Sequence, residues 1–284
     1  GEGPREGELT SVIVVSRDGL ADSKTCLEAL RSAADPRHPT EIIWVDNGST
    51  DGSTSYLEEQ DDLVLICNPD NRGAPAARNQ GLALAQGRWL VFLDNDAVVS
   101  PGWLERLRRH AAADPLVGCV CPVSNRAAHG QQIEYGGGSD LSSTREFARL
   151  RAREFSEQAK YQYIFTSFCV MVRREVIETI GGFDERFSPW GFEDDDFSLR
   201  ACLAGFRNRL ALDVFVRHGM YTPEKTNRHE KLLLQNWSRF VDKWSNEKSA
   251  AYGNYGFVSE LLRDPPKEAS RLRVPVPAFV GDPS

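Results

Sequence analysis

The chain has 284 residues, 40% hydrophobic and 26% charged, which suits a globular protein large enough for a sizeable core. A net charge of -7 and a pI of 5.4 leave no basic footprint, so no nucleic-acid partner is expected. No run approaches the roughly 18 apolar residues of a membrane span, and no signal-peptide pattern opens the chain. The cysteines (Cys26, Cys67, Cys119, Cys121, Cys169 and Cys202) are scattered, and Cys119 and Cys121 stand too close for a C-x-x-C knuckle. They read as buried reduced thiols, hence a cytoplasmic setting, with membrane association only through segments or partners outside the chain. Gly1 in place of Met marks an excised segment, consistent with a larger multidomain protein.

Residues 1–8 are polar, Gly-bearing and expected to be disordered. Ser11 to Val15 reads as a buried β-branched strand, followed by Ser16, Arg17 and Asp18. Helical spacing runs from Ala21 to Ala34, and Glu41 to Val45 is the next strand. It enters the polar loop Asp46 to Ser53, whose plainer reading is a helix entry with a cap. Leu63 to Ile66 is a short strand leading to Asn71 and Gly73, and Pro75 to Ala85 an Ala-rich helix. A fourth strand, Trp89 to Leu93, ends in Asp94-Asn95-Asp96.

This alternation predicts a parallel α/β sheet whose loops share one edge, where open sheets bind ligands. Two carboxylates at i and i+2 make a hard oxygen site for Mn²⁺ or Mg²⁺ carrying a substrate's phosphates. Alone, such a tripeptide is more often a turn. No G-x-G-x-x-G or Walker A lysine is present, so phosphates would fall to the metal and to side chains such as Arg78.

Beyond residue 100, a helix from Trp103 to Ala113 and a strand from Leu116 to Cys121 are expected. Residues 124–160 form a polar excursion, part helix, over the acceptor side of the site or simply a solvated insertion. Phe165 to Val172 reads as a strand and Arg174 to Ile180 as a helix. Trp190-Gly191-Phe192 then precede Glu193-Asp194-Asp195-Asp196, which open a helix where the dipole favours acids. Four acids exceed the needs of capping, so some are expected to face a cleft. A strand from Asn208 to Val216 delivers His218, a credible metal ligand; His38, His110 and His129 lack such a setting, and His229 is left open. Leu232 to Trp244 makes an amphipathic helix, and residues 249–284 read as a tail or linker.

Together these blocks resemble family-2 glycosyltransferases of GT-A fold, in family order: SVIVVS, VDNGSTDGS, NRGAPAARNQG, GRWLVFLDNDAVVSPGWL, GGFDERFSPWGFEDDDFSLR and VRH. WGFEDDDF also resembles the W-G-G-E-D-D-D segment at the acceptor and base position of β-1,4-galactosyltransferases. The resemblance implies a Rossmann-like, mixed but mainly parallel sheet flanked by helices over residues 9–248. Its nucleotide-binding half would be 9–100 and its acceptor-binding half 101–248.

The resemblance also implies roles. Asp46 would bind the base, with Ser16, Arg17, Asn71, Gly73 and Asn95 also lining the donor site. Arg78 would lie near the nucleotide or its phosphates and Asp94 near the ribose, while Asp96 and His218 would hold the metal. Asp194 would be the general base, with Trp190, Gly191 and Glu193 near the acceptor or donor sugar. Ser16-Arg17-Asp18 departs from the family's Tyr-Asn, and the acidic run leaves Asp195 and Asp196 open as the base. The implied reaction is metal-dependent and inverting, from a nucleotide-sugar, by family habit a UDP-sugar, to the hydroxyl of a carbohydrate or glycoconjugate. The rivals are a sugar nucleotidyltransferase, for which the loop after the first strand is poor, and a non-catalytic nucleotide- or sugar-binding module, which has no need of a base.

Overall fold

The computed structural model describes residues 8–219, 226–245, 251–266 and 268–276. The β-branched runs become β1 (Thr10–Ser16), β2 (Thr40–Asp46), β3 (Val64–Cys67) and β4 (Trp89–Asp94). Between them lie α1 (Leu20–Ser32), α2 (Ser53–Glu58) and α3 (Ala74–Leu84). Next come β5 (Ala97–Val98), α4 (Trp103–Ala112), β6 (Val117–Val123), α5 (Leu141–Glu154), β7 (Ala159–Gln162), β8 (Cys169–Arg173) and α6 (Arg174–Ile180). The remainder is α7 (Glu193–Leu203), β9 (Arg207–Phe215), β10 (Arg217–His218), α8 (Thr226–Trp244), α9 (Val258–Arg263) and α10 (Ala269–Leu272).

The main sheet has the order β3-β2-β1-β4-β8-β6-β9-β7. β1 to β4 are parallel to one another, β8 runs antiparallel between β4 and β6, and β9 is parallel to β6. β4, β6 and β9 therefore point the same way and end at one edge. Period-2 alternation puts Val12 and Val14 on one face with α1 and α4, and Ile13 on the other with Ala77 and Phe197. This is the mixed, mainly parallel sheet flanked by helices that the sequence implies.

Three expectations change. The strand expected from Phe165 starts at Cys169, because residues 166–168 turn their backbone to other partners at the sheet edge. The expected tail is packed in its described part. Val258 joins Trp237, Phe240 and Trp244 in a third core cluster, and Val274 exchanges backbone hydrogen bonds with Ile180 and Gly182 at 2.9 Å. Aromatic residues at Tyr255 and Phe257 supply the apolar area that the Pro-rich composition hid. All six cysteines are free, but Cys67 is exposed and Cys202 half-buried, each at the end of its element. The loose segment expected over residues 1–8 lies, except for Glu8, outside the described residues.

Candidate active site

β1 carries Val15 opposite Asp94 and Ser16 opposite Asp46, so β2 and β4 deliver their aspartates to the same edge. Beyond β4, β5 pairs antiparallel with β10, and His218 falls opposite Ala97. That two-residue ladder brings the imidazole to the acids. His218 Nε2 lies 3.2 Å from Asp96 Oδ1 and 3.6 Å from Asp94 Oδ2. One donor atom from each of the three lies within 4.8 Å of the others.

The imidazole is held from behind. Asn125 clamps the His218 backbone, accepting its N–H at 2.8 Å and donating to its carbonyl at 2.9 Å. His218 Nδ1 faces the Arg126 carbonyl at 3.0 Å, which directs Nε2 to the carboxylates. The Phe168 ring stacks on the imidazole at 4.8 Å. Burial alone would lower the His218 pKa, but the hydrogen bonds and charges of Asp94 and Asp96 raise it to about 9. The site's field therefore calls for positive charge. Two carboxylates and one oriented imidazole fit a hard divalent cation such as Mn²⁺ or Mg²⁺.

Asp94 Oδ1 accepts from Arg78 Nη2 at 3.1 Å, and Arg78 Nη1 reaches Glu193 Oε1 at 2.7 Å. Arg78, expected near the nucleotide or its phosphates, is only 6% exposed, and its guanidinium is paired with two carboxylates. It links the strand-end acids to the helix-start acids instead. Burial presses against ionisation of Asp94, but His218 and Arg78 outweigh it and hold its pKa below the usual range.

The helix-start acids have four different surroundings. Glu193 is buried; burial raises its pKa against the pull of Arg78, and its Oε2 has no partner. Asp194 is half-buried and accepts one backbone N–H on each oxygen, from Ser167 at 3.1 Å and Asp195 at 3.0 Å. Burial, then the charges of Asp195 and Glu193, push its pKa well above the carboxylate range. Asp195 is buried too, but His129 (3.4 Å) and the Tyr255 hydroxyl hold it ionised. Asp196 is wholly buried against Arg200 Nε (2.7 Å), Lys243 Nζ (2.6 Å) and Trp244 Nε1 (2.9 Å). Asp196, left open as a base, is thus a structural anchor.

Residues 167 and 168 tie the two stations together. The Phe168 carbonyl accepts the Asp94 N–H at 2.8 Å while the neighbouring Ser167 N–H donates to Asp194. The Trp190-Gly191 turn is fixed from α8, where Asn236 donates to both carbonyls at 2.9 and 3.1 Å. Trp190 packs edge-on to His229 at 4.7 Å.

On the donor side, Asp46 accepts from Ser16 Oγ (3.2 Å), Ser49 N (3.2 Å), Thr54 Oγ1 (2.7 Å) and Ser49 Oγ. Its acceptor sites are filled, so a base proton would reach it only by displacing one of these donors. Asp51 accepts from the Gly19 and Leu20 N–H groups at the start of α1, and from the Ser53 N–H at 3.1 Å where its own loop enters α2. Asn71 accepts from Asn47 and from the Gly73 N–H, both at 2.9 Å. At φ 88°, Gly73 lies so close to Ser188 and Pro189 that a Cβ would clash. Asn95 donates to Ser23 Oγ at 2.9 Å, and Arg17 is exposed.

Asn125, Arg126, Phe168, His129 and Tyr255 escaped the sequence reading. For Asn125 and Arg126 the signal was available, since they follow β6, whose end shares the edge of β4. His129, expected to lack any functional setting, faces Asp195.

A family model described as glycosyl transferase family 2 matches residues 11–181, and one described as the N-terminal domain of galactosyltransferase matches residues 149–227. Glycosyltransferase AglE of Haloferax volcanii is 26% identical over 216 residues, covering 74% of this chain and 66% of its own length. A GalNAc-T7 structure with UDP, GalNAc and Mn²⁺ superposes with a TM-score of 0.67 at 19% identity, covering 90% of this chain and 54% of that one. The mannosyltransferase PcManGT of Pyrobaculum calidifontis, with GDP-Man and Mn²⁺, superposes with a TM-score of 0.60 at 22% identity, covering 93% and 71%.

Proposed function

This chain belongs to glycosyl transferase family 2 and has its GT-A fold, and on that premise we propose that it is a metal-dependent, inverting transferase of a nucleotide-sugar. The donor is a UDP-sugar and the acceptor a carbohydrate or glycoconjugate hydroxyl. What carries this reading is the pairing of two acidic stations of opposite character through Ser167, Phe168 and Arg78. One station is ready for a cation; the other holds a carboxylate kept basic.

Asp94, Asp96 and His218 would hold the divalent ion, which neutralises the departing diphosphate as a Lewis acid. Asp194 takes the acceptor hydroxyl's proton while that oxygen bonds to the anomeric carbon. The carbon–phosphate oxygen bond breaks on the opposite face, and the nucleoside diphosphate leaves with its electron pair. A raised pKa suits Asp194 to this work, because a base near the operating pH accepts the proton most effectively. Six free cysteines agree with a reducing cytoplasmic setting. No described helix is long and apolar enough to cross a membrane.

The test is thermal unfolding with UDP, GDP or dTDP, each with Mn²⁺ and with EDTA. A ligand at a hundred times its Kd stabilises by about 2.7 kcal/mol. The expected outcome is a shift with UDP and Mn²⁺ that EDTA removes. A shift with GDP alone would correct the donor class. No metal-dependent shift with any nucleotide would overturn the reading.

A further inference from the structure

A second cavity, of about 180 Å³, lies between α4, α5 and the end of β9. It shares no lining residue with the site above. Its apolar wall is Trp103, Ala148, Val214 and Phe215, and its polar wall includes Ser100, Arg106 and Arg145. A dry cavity of about 150 Å³ is enough for a benzene ring.

The polar wall is short of acceptors. Ser100 is 4% exposed, and its hydroxyl has no partner; the buried Nε of Arg145 has none either. Buried donors are normally paired. Among the described residues, Arg106 reaches only the Pro101 carbonyl at 3.4 Å, Arg145 Nη2 donates to Ser32 Oγ at 2.6 Å, and neither guanidinium has a carboxylate partner. The other two charged side chains in the lining already have partners. Arg149 pairs with Glu146 at 2.7 Å, while Asp213 uses one oxygen on His110 (2.6 Å) and the other on the Glu157 N–H (3.0 Å). The positive end of α4, which starts at Trp103, adds to the same field.

We propose that this cavity binds a small phosphomonoester with a ring-sized apolar body. The phosphate lies between Arg106, Arg145 and the Ser100 hydroxyl, and the body lies against Trp103 and Phe215. Two forked guanidinium groups and a hydroxyl offer the several donors that a tetrahedral dianion accepts. The cavity is separate from the donor site proposed above and stands whether or not that reading holds.

The experiment is a ¹⁹F NMR titration of 4-fluorophenyl phosphate into the full chain in EDTA, repeated with UDP and Mn²⁺. Saturable binding is expected in EDTA and is expected to survive UDP and Mn²⁺. Arg145→Ala should weaken it about tenfold or more, as loss of a hydrogen bond to a charged group does. Ala148→Leu, which fills the cavity, should remove it while leaving the UDP response intact. Inorganic phosphate and 4-fluorophenol should each bind far more weakly than the ester. Absence of saturable binding would overturn the proposal. So would displacement by UDP with Mn²⁺, which would place the ester in the donor site. Indifference to both variants, or inorganic phosphate binding as tightly as the ester, would also overturn it.

Discussion

The two acidic stations contain similar chemistry and solve opposite problems. Asp94 and Asp96 stand at a strand end, partly exposed, and meet cationic or basic side chains: His218 and Arg78 hold the Asp94 pKa down, and His218 and Arg126 lie beside Asp96. Glu193 to Asp196 open a helix inside the protein, where each carboxylate depends on a different element for compensation. Glu193 has Arg78, Asp195 has Tyr255 and His129, and Asp196 has Arg200, Lys243 and Trp244. Asp194 alone receives only backbone N–H groups among its described hydrogen bonds. A dense acidic run is therefore not a site as a whole. The carboxylate we propose as the base is the one whose charge the fold leaves least compensated.

That contrast can be broken at its sharpest point. Asp194→Asn should lower kcat by roughly 10²–10⁴-fold, the share that a general base contributes, with nucleotide and Mn²⁺ binding unchanged. Steady-state kinetics beside nucleotide titration measure both, and full turnover would end its assignment as base. Asp196→Asn should behave differently. Removing one partner of a buried ion cluster costs about 3–5 kcal/mol, so the urea midpoint should fall steeply. A midpoint unchanged from wild type would contradict its anchoring role. Asp96→Asn, at the open station, should leave the midpoint nearly unchanged. It should weaken Mn²⁺-dependent nucleotide binding by at least the 10–100-fold that loss of an outer-shell metal partner costs.

Most of the sheet was legible because buried parallel strands have a simple signature: β-branched runs ending in polar loops. The first four strands and the meeting of Asp94, Asp96 and His218 followed from it. What escaped was decided by tertiary contact. Residues 165–168 run straight into β8 with no turn signal in the sequence, yet the backbone of 166–168 goes to Gln131, Asp194 and Asp94 rather than to the ladder. Arg78 looks like a phosphate ligand in sequence, and only the distance to Glu193, 115 residues away, shows that it is a buried bridge. Tyr255 sits in a stretch whose Pro, Gly and charge suggest a linker. Its ring and hydroxyl tie it to α8 and Asp195, partners that no local pattern reveals.

The smaller effects test how the helix-start station is tuned. Because Asp194 must be ionised to accept a proton and its pKa is raised, kcat should fall with decreasing pH at values well above the ordinary carboxylate range. The charge of Asp195 is one cause of that rise. Asp195→Asn should therefore move this limb to lower pH; a limb that stays in place would assign it to another group. Tyr255→Phe is milder still. It deletes one hydroxyl from a buried carboxylate that still faces His129, and keeps the ring packed on Trp237. The expected cost is about 1 kcal/mol, or roughly 2–4 °C in melting temperature for a domain of this size. If residues 251–258 were only a passing linker, Tyr255→Phe would change neither melting temperature nor the acid limb. A loss of stability together with a shifted limb is the outcome expected if this segment belongs to the active site.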